Sequence, residues 1–236
     1  MYQKQKNIES GNPEITQPQI AVIWDMDGVI IDSEPQHCDA WRTTFKNNNV
    51  YLTEEQYQQF AGRRDSDTIR HFMGQDVSDA IIARVSDQKQ ATFRDLVAKR
   101  IVALPGVISL IHSLYSKRVK QALASSSPMA NITLILGHLE LKSYFPVIIS
   151  AHDVTLGKPH PQVFLMAAQR LGIDPIHCVV IEDSSAGVAA AKAANMKVIA
   201  VTTTNPREKL AQAEADKVVD SLEEISFATM LRLIGM

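Results

Sequence analysis

Ile20-Ala21-Val22-Ile23-Trp24 runs straight into Asp25-Met26-Asp27-Gly28, and this stretch decides the fold. The apolar run shows no polar alternation, so it reads as a short strand buried on both faces. Such strands belong to parallel sheets covered by helices on both sides. Similar runs recur at 120–124, 146–150, 178–181 and 198–201, and 217–219 reads as an edge strand. Helical spacings lie between them: Val107, Leu110, Ile111 and Leu114, then Val163, Met166, Ala167 and Leu171. Ser184 is placed to cap an alanine-rich helix reaching Ala194. From about residue 104 onward strand and helix alternate. That predicts an α/β fold with a Rossmann-like, doubly wound parallel sheet.

Residues 35–103 break this rhythm. No strand is evident there, and helical stretches run over 36–48, 53–60, 66–73 and 78–102, punctuated by Gly62 and Leu104-Pro105-Gly106. The expected organisation is a core made of 20–34 and 104–236, interrupted by a helical insert over 35–103. Residues 1–19 are polar, include Pro13 and Pro18, and read as a flexible leader.

Composition narrows the function. Of 236 residues, 45% are hydrophobic and 21% charged, which argues against a disordered or fibrous chain. The net charge of -2 offers no basic excess for a nucleic acid or an anionic membrane. Neither the apolar centre of a signal peptide nor a run long enough to span a bilayer is present. Cys38 and Cys178 make a poor disulfide framework and suit a reducing cytoplasm as small buried residues. His112, His138, His152, His160 and His177 lack metal-ligand spacing with cysteine. Trp24 and Trp41 read as packing residues, and a monomer is expected from the small exposed-apolar signal.

The chemistry-bearing residues follow the strands. In a parallel sheet the carboxyl ends of the strands line one crevice, where ligands bind. The first strand ends in Asp25 and Asp27, the second in Ser125-Ser126-Ser127, and the fourth in Glu182-Asp183-Ser184-Ser185. Lys158 follows the third strand in Gly157-Lys158-Pro159. Asp25, Asp27, Glu182 and Asp183 would bring four carboxylates into a small volume, where like charges repel. A hard divalent cation removes that conflict, and an all-oxygen cluster suits Mg²⁺. With Lys158, Ser125 and backbone N–H donors, the set makes a cradle for a phosphoryl group. Asp25 can attack phosphorus to form an aspartyl-phosphate, while Asp27 protonates the leaving alkoxide and then activates water.

At these residues the sequence resembles the haloacid-dehalogenase-like superfamily. The resemblance rests on Asp25-Met26-Asp27-Gly28-Val29 with Asp32-Ser33-Glu34-Pro35, on Ser125, on Lys158 in GKPHP, and on Glu182-Asp183-Ser184-Ser185-Ala186-Gly187. It spans nearly all of the chain from Ile20 to about Ile225. DMDGVIIDSEP, GKPHPQVF and IEDSSAGVAAAKAA look like the subgroup of beta-phosphoglucomutase and related sugar-phosphate phosphatases, whose members carry a helical cap between the first two motifs. The resemblance implies that Asp25 is the nucleophile and Asp27 the acid/base. It assigns Mg²⁺ to the Asp25 carboxylate, the Asp27 carbonyl and Asp183, with Glu182 in or near the shell, and the phosphate to Ser125, Ser126 and Lys158. Dehalogenases of the superfamily usually lack the second Asp, so Asp27 argues against that activity.

Mutases of the subgroup hold a distal phosphate with a cap arginine. Here the matching segment reads Gly62-Arg63-Arg64-Asp65-Ser66-Asp67-Thr68, and Asp65 falls where that arginine is expected. Arg63 or Arg64 would substitute after a small shift. Ser33, His37, Thr68 and Lys89 match other cap and hinge positions. The sequence therefore reads as a Mg²⁺-dependent phosphatase of small phosphorylated metabolites, sugar phosphates foremost, with a phosphohexomutase as the alternative. A signalling receiver shares the Asp, Mg²⁺, Ser/Thr and Lys set, but it has no helical insert after the first strand.

Overall fold

A computed structural model of the chain describes residues 20–60 and 63–236. The expected leader over 1–19 and the break at Gly62 lie outside the described residues. β1 (Ala21–Trp24) is followed by four helices, α1 (Glu34–Asn47), α2 (Glu54–Phe60), α3 (Asp65–Met73) and α4 (Asp79–Val97). Then come α5 (Val107–Ser116), β2 (Lys120–Ala124), α6 (Met129–His138), β3 (Val147–Ile149), α7 (Gln162–Leu171) and β4 (Cys178–Glu182). The chain ends with α8 (Ser185–Ala193), β5 (Lys197–Val201), α9 (Arg207–Gln212), β6 (Lys217–Val219) and α10 (Phe227–Leu233).

The strands form one sheet in the order β3-β2-β1-β4-β5-β6, and every pairing is parallel. From β1 the chain builds outward through β2 and β3, then crosses back to build β4, β5 and β6 on the other side. The order therefore reverses between β1 and β4, and a switch point of this kind opens a crevice at the carboxyl ends of the strands. The Asp25 N–H donates to the Ile181 carbonyl at 3.0 Å across that boundary, so β1 delivers Asp25 to the crevice.

Both faces of the sheet are covered, as uninterrupted apolar strands require. Val22 and Trp24 pack with Val107 and Leu110 of α5, Ile132 and Ile135 of α6 and Met230 of α10. Ala21 and Ile23 face the opposite layer, with Val163 and Phe164 of α7, Val188 of α8 and Leu210 of α9. Successive side chains of one strand thus feed two separate cores.

The helical insert has its own core of Cys38, Trp41, Phe45, Tyr57, Ile69 and Val85. Helix α4 ties it to the sheet, because Phe93 and Val97 belong to the core under β1. The expected helix over 78–102 ends earlier, at Val97. The returning chain instead pairs with the outgoing one: Ala103 bridges Ile31, and the Leu104 N–H donates to the Ile30 carbonyl at 2.9 Å. Apolar spacing continues through the buried Ile101, but two linkers running side by side outweigh a helical period. The third strand is narrower than its apolar run, and the fourth extends to Glu182, which places a carboxylate in the strand itself. Among the described residues no helix is long and apolar enough to cross a membrane.

Candidate active site

Asp25 leaves β1 with its side chain 8% exposed, beside Glu182 at 1%. Between them sits Lys158, whose Nζ donates to Asp25 Oδ1 and to Glu182 Oε1, each at 2.6 Å. Oxygens of Asp25, Glu182 and Asp183 lie within 4.8 Å of one another. Sequence spacing suggested four carboxylates in this volume; Asp27 is not among the three that converge. Its Oδ1 accepts from Ser33 Oγ at 2.6 Å and lies 3.4 Å from His37 Nε2, and its Oδ2 accepts from Ser127 Oγ at 2.6 Å. Those donors hold it to one side of the acidic triad.

The sequence explains why the loops can close this tightly. Gly28 has φ +77°, and a Cβ there would lie 1.9 Å from Asp183 Oδ2. A Cβ at Gly187 would lie 1.8 Å from Glu182 Oε1, so α8 approaches the strand end only because that position has no side chain. Glu182 Oε2 in turn accepts from the backbone N–H groups of Asp183 and Ser184 at 2.9 and 2.8 Å and from Ser184 Oγ at 2.9 Å. Glu182 thereby fixes both the lysine and the turn that carries Asp183.

The charge balance is uneven, because one ammonium faces three buried carboxylates. Burial works against the Lys158 charge, but Asp25 and Glu182 outweigh it and raise its pKa. Burial likewise raises Glu182, but Lys158 and the Ser184 donors bring it below its ordinary value. Asp25 touches the same lysine yet is pushed up to about 7, by burial first and then by Glu182 and Asp27. The ammonium is shared, and Glu182, with three further hydrogen bonds, takes the larger part. Asp183 is raised well above its ordinary value by burial and by the charges of Glu182 and Asp25, against a Thr204 hydrogen bond. Burial also pushes Asp27 up, but His37, Ser127 and Ser33 together hold it below the usual carboxylate range.

Surplus negative charge on converging, hard oxygen donors is the condition a divalent cation relieves. The residues therefore fit Mg²⁺, with Asp25 and Asp183 the two carboxylates left short of positive partners.

Ser125 is buried, and its Oγ accepts from the Ser127 N–H at 3.0 Å. Ser126 is exposed and makes none of the bonds that join this cluster among the described residues. Ser127, which sequence reading left out of the site, is the serine that reaches Asp27. Thr204 was missed as well, since it follows β5 with no motif around it.

The insert supplies a second wall. His37 stacks on Phe93 at 3.9 Å, and its Nδ1 lies 3.0 Å from Lys89 Nζ. An ammonium can only donate, so Nδ1 accepts and Nε2 carries the hydrogen that faces Asp27. Lys89 is 4% exposed, and burial lowers its pKa against the charge of Asp65. Thr68 is buried, and its hydroxyl donates to the Arg64 carbonyl at 3.3 Å. Arg63 and Arg64 are both exposed and engage different partners. The Arg63 guanidinium lies 4.7 Å from the Phe60 ring centre, and Arg64 Nη2 donates to the Thr155 carbonyl at 2.7 Å. Arg64 therefore reaches the loop that carries Lys158, where it lines an open cleft of about 560 Å³ with Asp67, Gly157 and His160.

A family model described as haloacid dehalogenase-like hydrolase matches residues 22–201. The chain is 32% identical over 217 residues to a phosphorylated carbohydrates phosphatase of Thermotoga maritima, covering 87% of this chain and 99% of that one. It is 30% identical over 222 residues to hexitol phosphatase B of Escherichia coli, covering 90% and 96%. Among solved structures, the beta-phosphoglucomutase of Clostridium difficile superposes with a TM-score of 0.82 at 29% identity, over 92% of this chain and 97% of that one.

Proposed function

The chain belongs to the haloacid dehalogenase-like hydrolase family, and on that premise we propose that it is a Mg²⁺-dependent phosphatase of small phosphorylated metabolites, foremost sugar phosphates. The observation that carries this is the meeting of Asp25, Glu182 and Asp183 around Lys158 at the switch point of the sheet. Relatives named for phosphorylated carbohydrates and for hexitols support the substrate class.

In the proposed sequence the Asp25 carboxylate attacks phosphorus, and the bond to the leaving alcohol breaks as Asp27 gives it a proton. Asp27 then takes a proton from water, which attacks the aspartyl-phosphate and releases inorganic phosphate and free Asp25. Asp27 as it stands is held as a carboxylate, the form that activates water. Its protonated form needs acceptors, and the Ser33 and Ser127 hydroxyls supply them by rotating from donor to acceptor. Ser125, Ser126 through its position in the loop, and Lys158 would hold the phosphoryl oxygens. Mg²⁺ would be held by Asp25, Asp183 and the Asp27 carbonyl, with Glu182 alongside, and would supply charge neutralisation for the incoming phosphate.

In this reading residues 35–103 act as a cap domain over a core of 20–34 and 104–236, moving on the paired linkers near 33–35 and 104–106. Opening and closing would admit substrate and then control water. The protein would work as a monomer in a reducing cytoplasm, where its two free cysteines stay reduced.

The alternative, a beta-phosphoglucomutase-type isomerase, has a structural neighbour in its favour. It needs a cap arginine free to hold a second phosphate. The engagement of Arg63 with Phe60 and of Arg64 with Thr155 favours hydrolysis. Incubation with beta-glucose 1-phosphate, a bisphosphate primer and Mg²⁺ separates the two. Free phosphate is expected; glucose 6-phosphate as the main product would establish the isomerase.

A further inference from the structure

We propose that Asp65 and Lys89 form a subsite that binds a hydroxyl of the leaving alcohol and so selects neutral polyhydroxy monophosphates over substrates with a second phosphate. This rests on the phosphatase reading above and adds the chemistry of the leaving group.

The starting point is a buried cation with little to bind. Lys89 can donate three hydrogen bonds. Among the described residues its ammonium makes one, to His37 Nδ1. Its other neighbours are the ring faces of Trp41 and Phe93 at 5.3 and 5.6 Å, and Asp65 Oδ1 at 3.9 Å. Leaving donor capacity unspent on an ammonium this buried is costly, which points to a ligand that supplies the acceptor.

Asp65 is held so as to complete the pair. It opens α3, and its Oδ2 accepts from Ser86 Oγ at 2.6 Å and from Gln90 Nε2 at 2.8 Å. Gln90 is itself held from the core, since its Oε1 accepts from Asn131 Nδ2 at 2.7 Å and Asn131 Oδ1 accepts from Arg94 Nη1 at 3.2 Å. With Oδ2 so engaged, Oδ1 is the oxygen that faces Lys89. The 3.9 Å separation is too long for a direct hydrogen bond and is the kind of span one bridging oxygen fills.

The bridging group must accept from Lys89 and donate to Asp65. A hydroxyl does both. An ionised phosphate oxygen only accepts, and it would meet the Asp65 charge in a site of low exposure. The position suits a leaving group, because Lys89 leads through His37 to Asp27, the carboxylate that would protonate the departing oxygen. A hydroxyl several carbons from the phosphate would fall on this wall.

The test uses Asp65→Asn. Its oxygen can still accept from Ser86 and Gln90, but the atom facing Lys89 becomes a donor. Asp65→Ala, checked for an unchanged circular dichroism spectrum, is the second variant. The full chain with Mg²⁺ is assayed on a hexitol monophosphate, a hydroxyl-free alkyl phosphate of equal length and a sugar bisphosphate. Wild type is expected to favour the hexitol monophosphate over the alkyl phosphate by about 10–100-fold in kcat/KM, the worth of a hydrogen bond to charged groups. Both variants should lose most of that preference and gain on the bisphosphate relative to the hexitol. A preference unchanged in both variants, or absent from wild type, overturns the proposal. The same preference is read as binding by calorimetry on Asp25→Asn. Selective binding with no hydrolysis of any compound by wild type would leave the subsite standing and remove the phosphatase reading. Hydrolysis without selectivity would do the reverse.

Discussion

At the carboxyl ends of the strands three carboxylates share one ammonium; on the insert one carboxylate faces one ammonium across 3.9 Å. The first wall carries surplus negative charge and suits a divalent cation with a phosphoryl group. The second is nearly neutral and offers one donor and one acceptor. On the proposed reading, charge surplus serves a reaction common to many phosphate esters, whereas the balanced pair distinguishes one alcohol from another. The two walls also differ in support. Strand ends and glycine-tight turns fix the first, and side chains of two helices, α3 and α4, form the second.

The largest effect that would break this contrast lies in the sheet. Asp25→Asn keeps the shape and removes the carboxylate proposed to attack phosphorus, so steady-state phosphate release should fall to background while the fold persists. Release near the wild-type rate would move the chemistry elsewhere. Asp27→Asn should cost about 10²–10⁴-fold in kcat, the usual share of acid–base catalysis. Lys158→Ala leaves Asp25 and Glu182 without their shared partner. We expect about 10²–10³-fold less kcat/KM and about 3–5 kcal/mol less stability in metal-free chemical denaturation.

A pH experiment sharpens the contrast further. Folded Asp25 holds its proton up to about pH 7 instead of 3.8. Between those values the folded state binds the extra proton, so this group makes metal-free stability fall as pH rises. Thermal unfolding of metal-free wild type should lose more from about pH 5 to 8 than Asp25→Asn does, and Mg²⁺ should restore most at the upper end. Parallel curves for the two proteins would contradict the charge account. The smallest effect is expected from Arg63→Ala. Among the described residues its guanidinium covers Phe60 at the surface, so stability should change by no more than about 0.5 kcal/mol.

The sheet wall was legible because strand ends obey a rule: side chains at the carboxyl ends of parallel strands meet, however far apart in sequence. Asp25, Lys158, Glu182 and Asp183 could be placed together on that basis. The spacing could not say which way Asp27 turns. That depended on Ser127, a residue whose neighbours Ser125 and Ser126 looked equally suitable. The insert wall was legible only as helices. Whether Lys89 meets His37 or Asp65 depends on how α1, α3 and α4 are rotated against one another, and one sequence does not encode that rotation visibly. Arg63 and Arg64 drew notice as cations, yet the neighbouring Asp65 is the residue that faces Lys89.

The central claim is that Asp25 carries the phosphoryl group between two half-reactions. Acid quenching during turnover, followed by peptide mapping of the phosphorylated protein, tests it directly. A phosphate adduct on the peptide containing Asp25, lost in Asp25→Asn, is the predicted result. Sustained turnover with no adduct, or with the adduct on another residue, would contradict it.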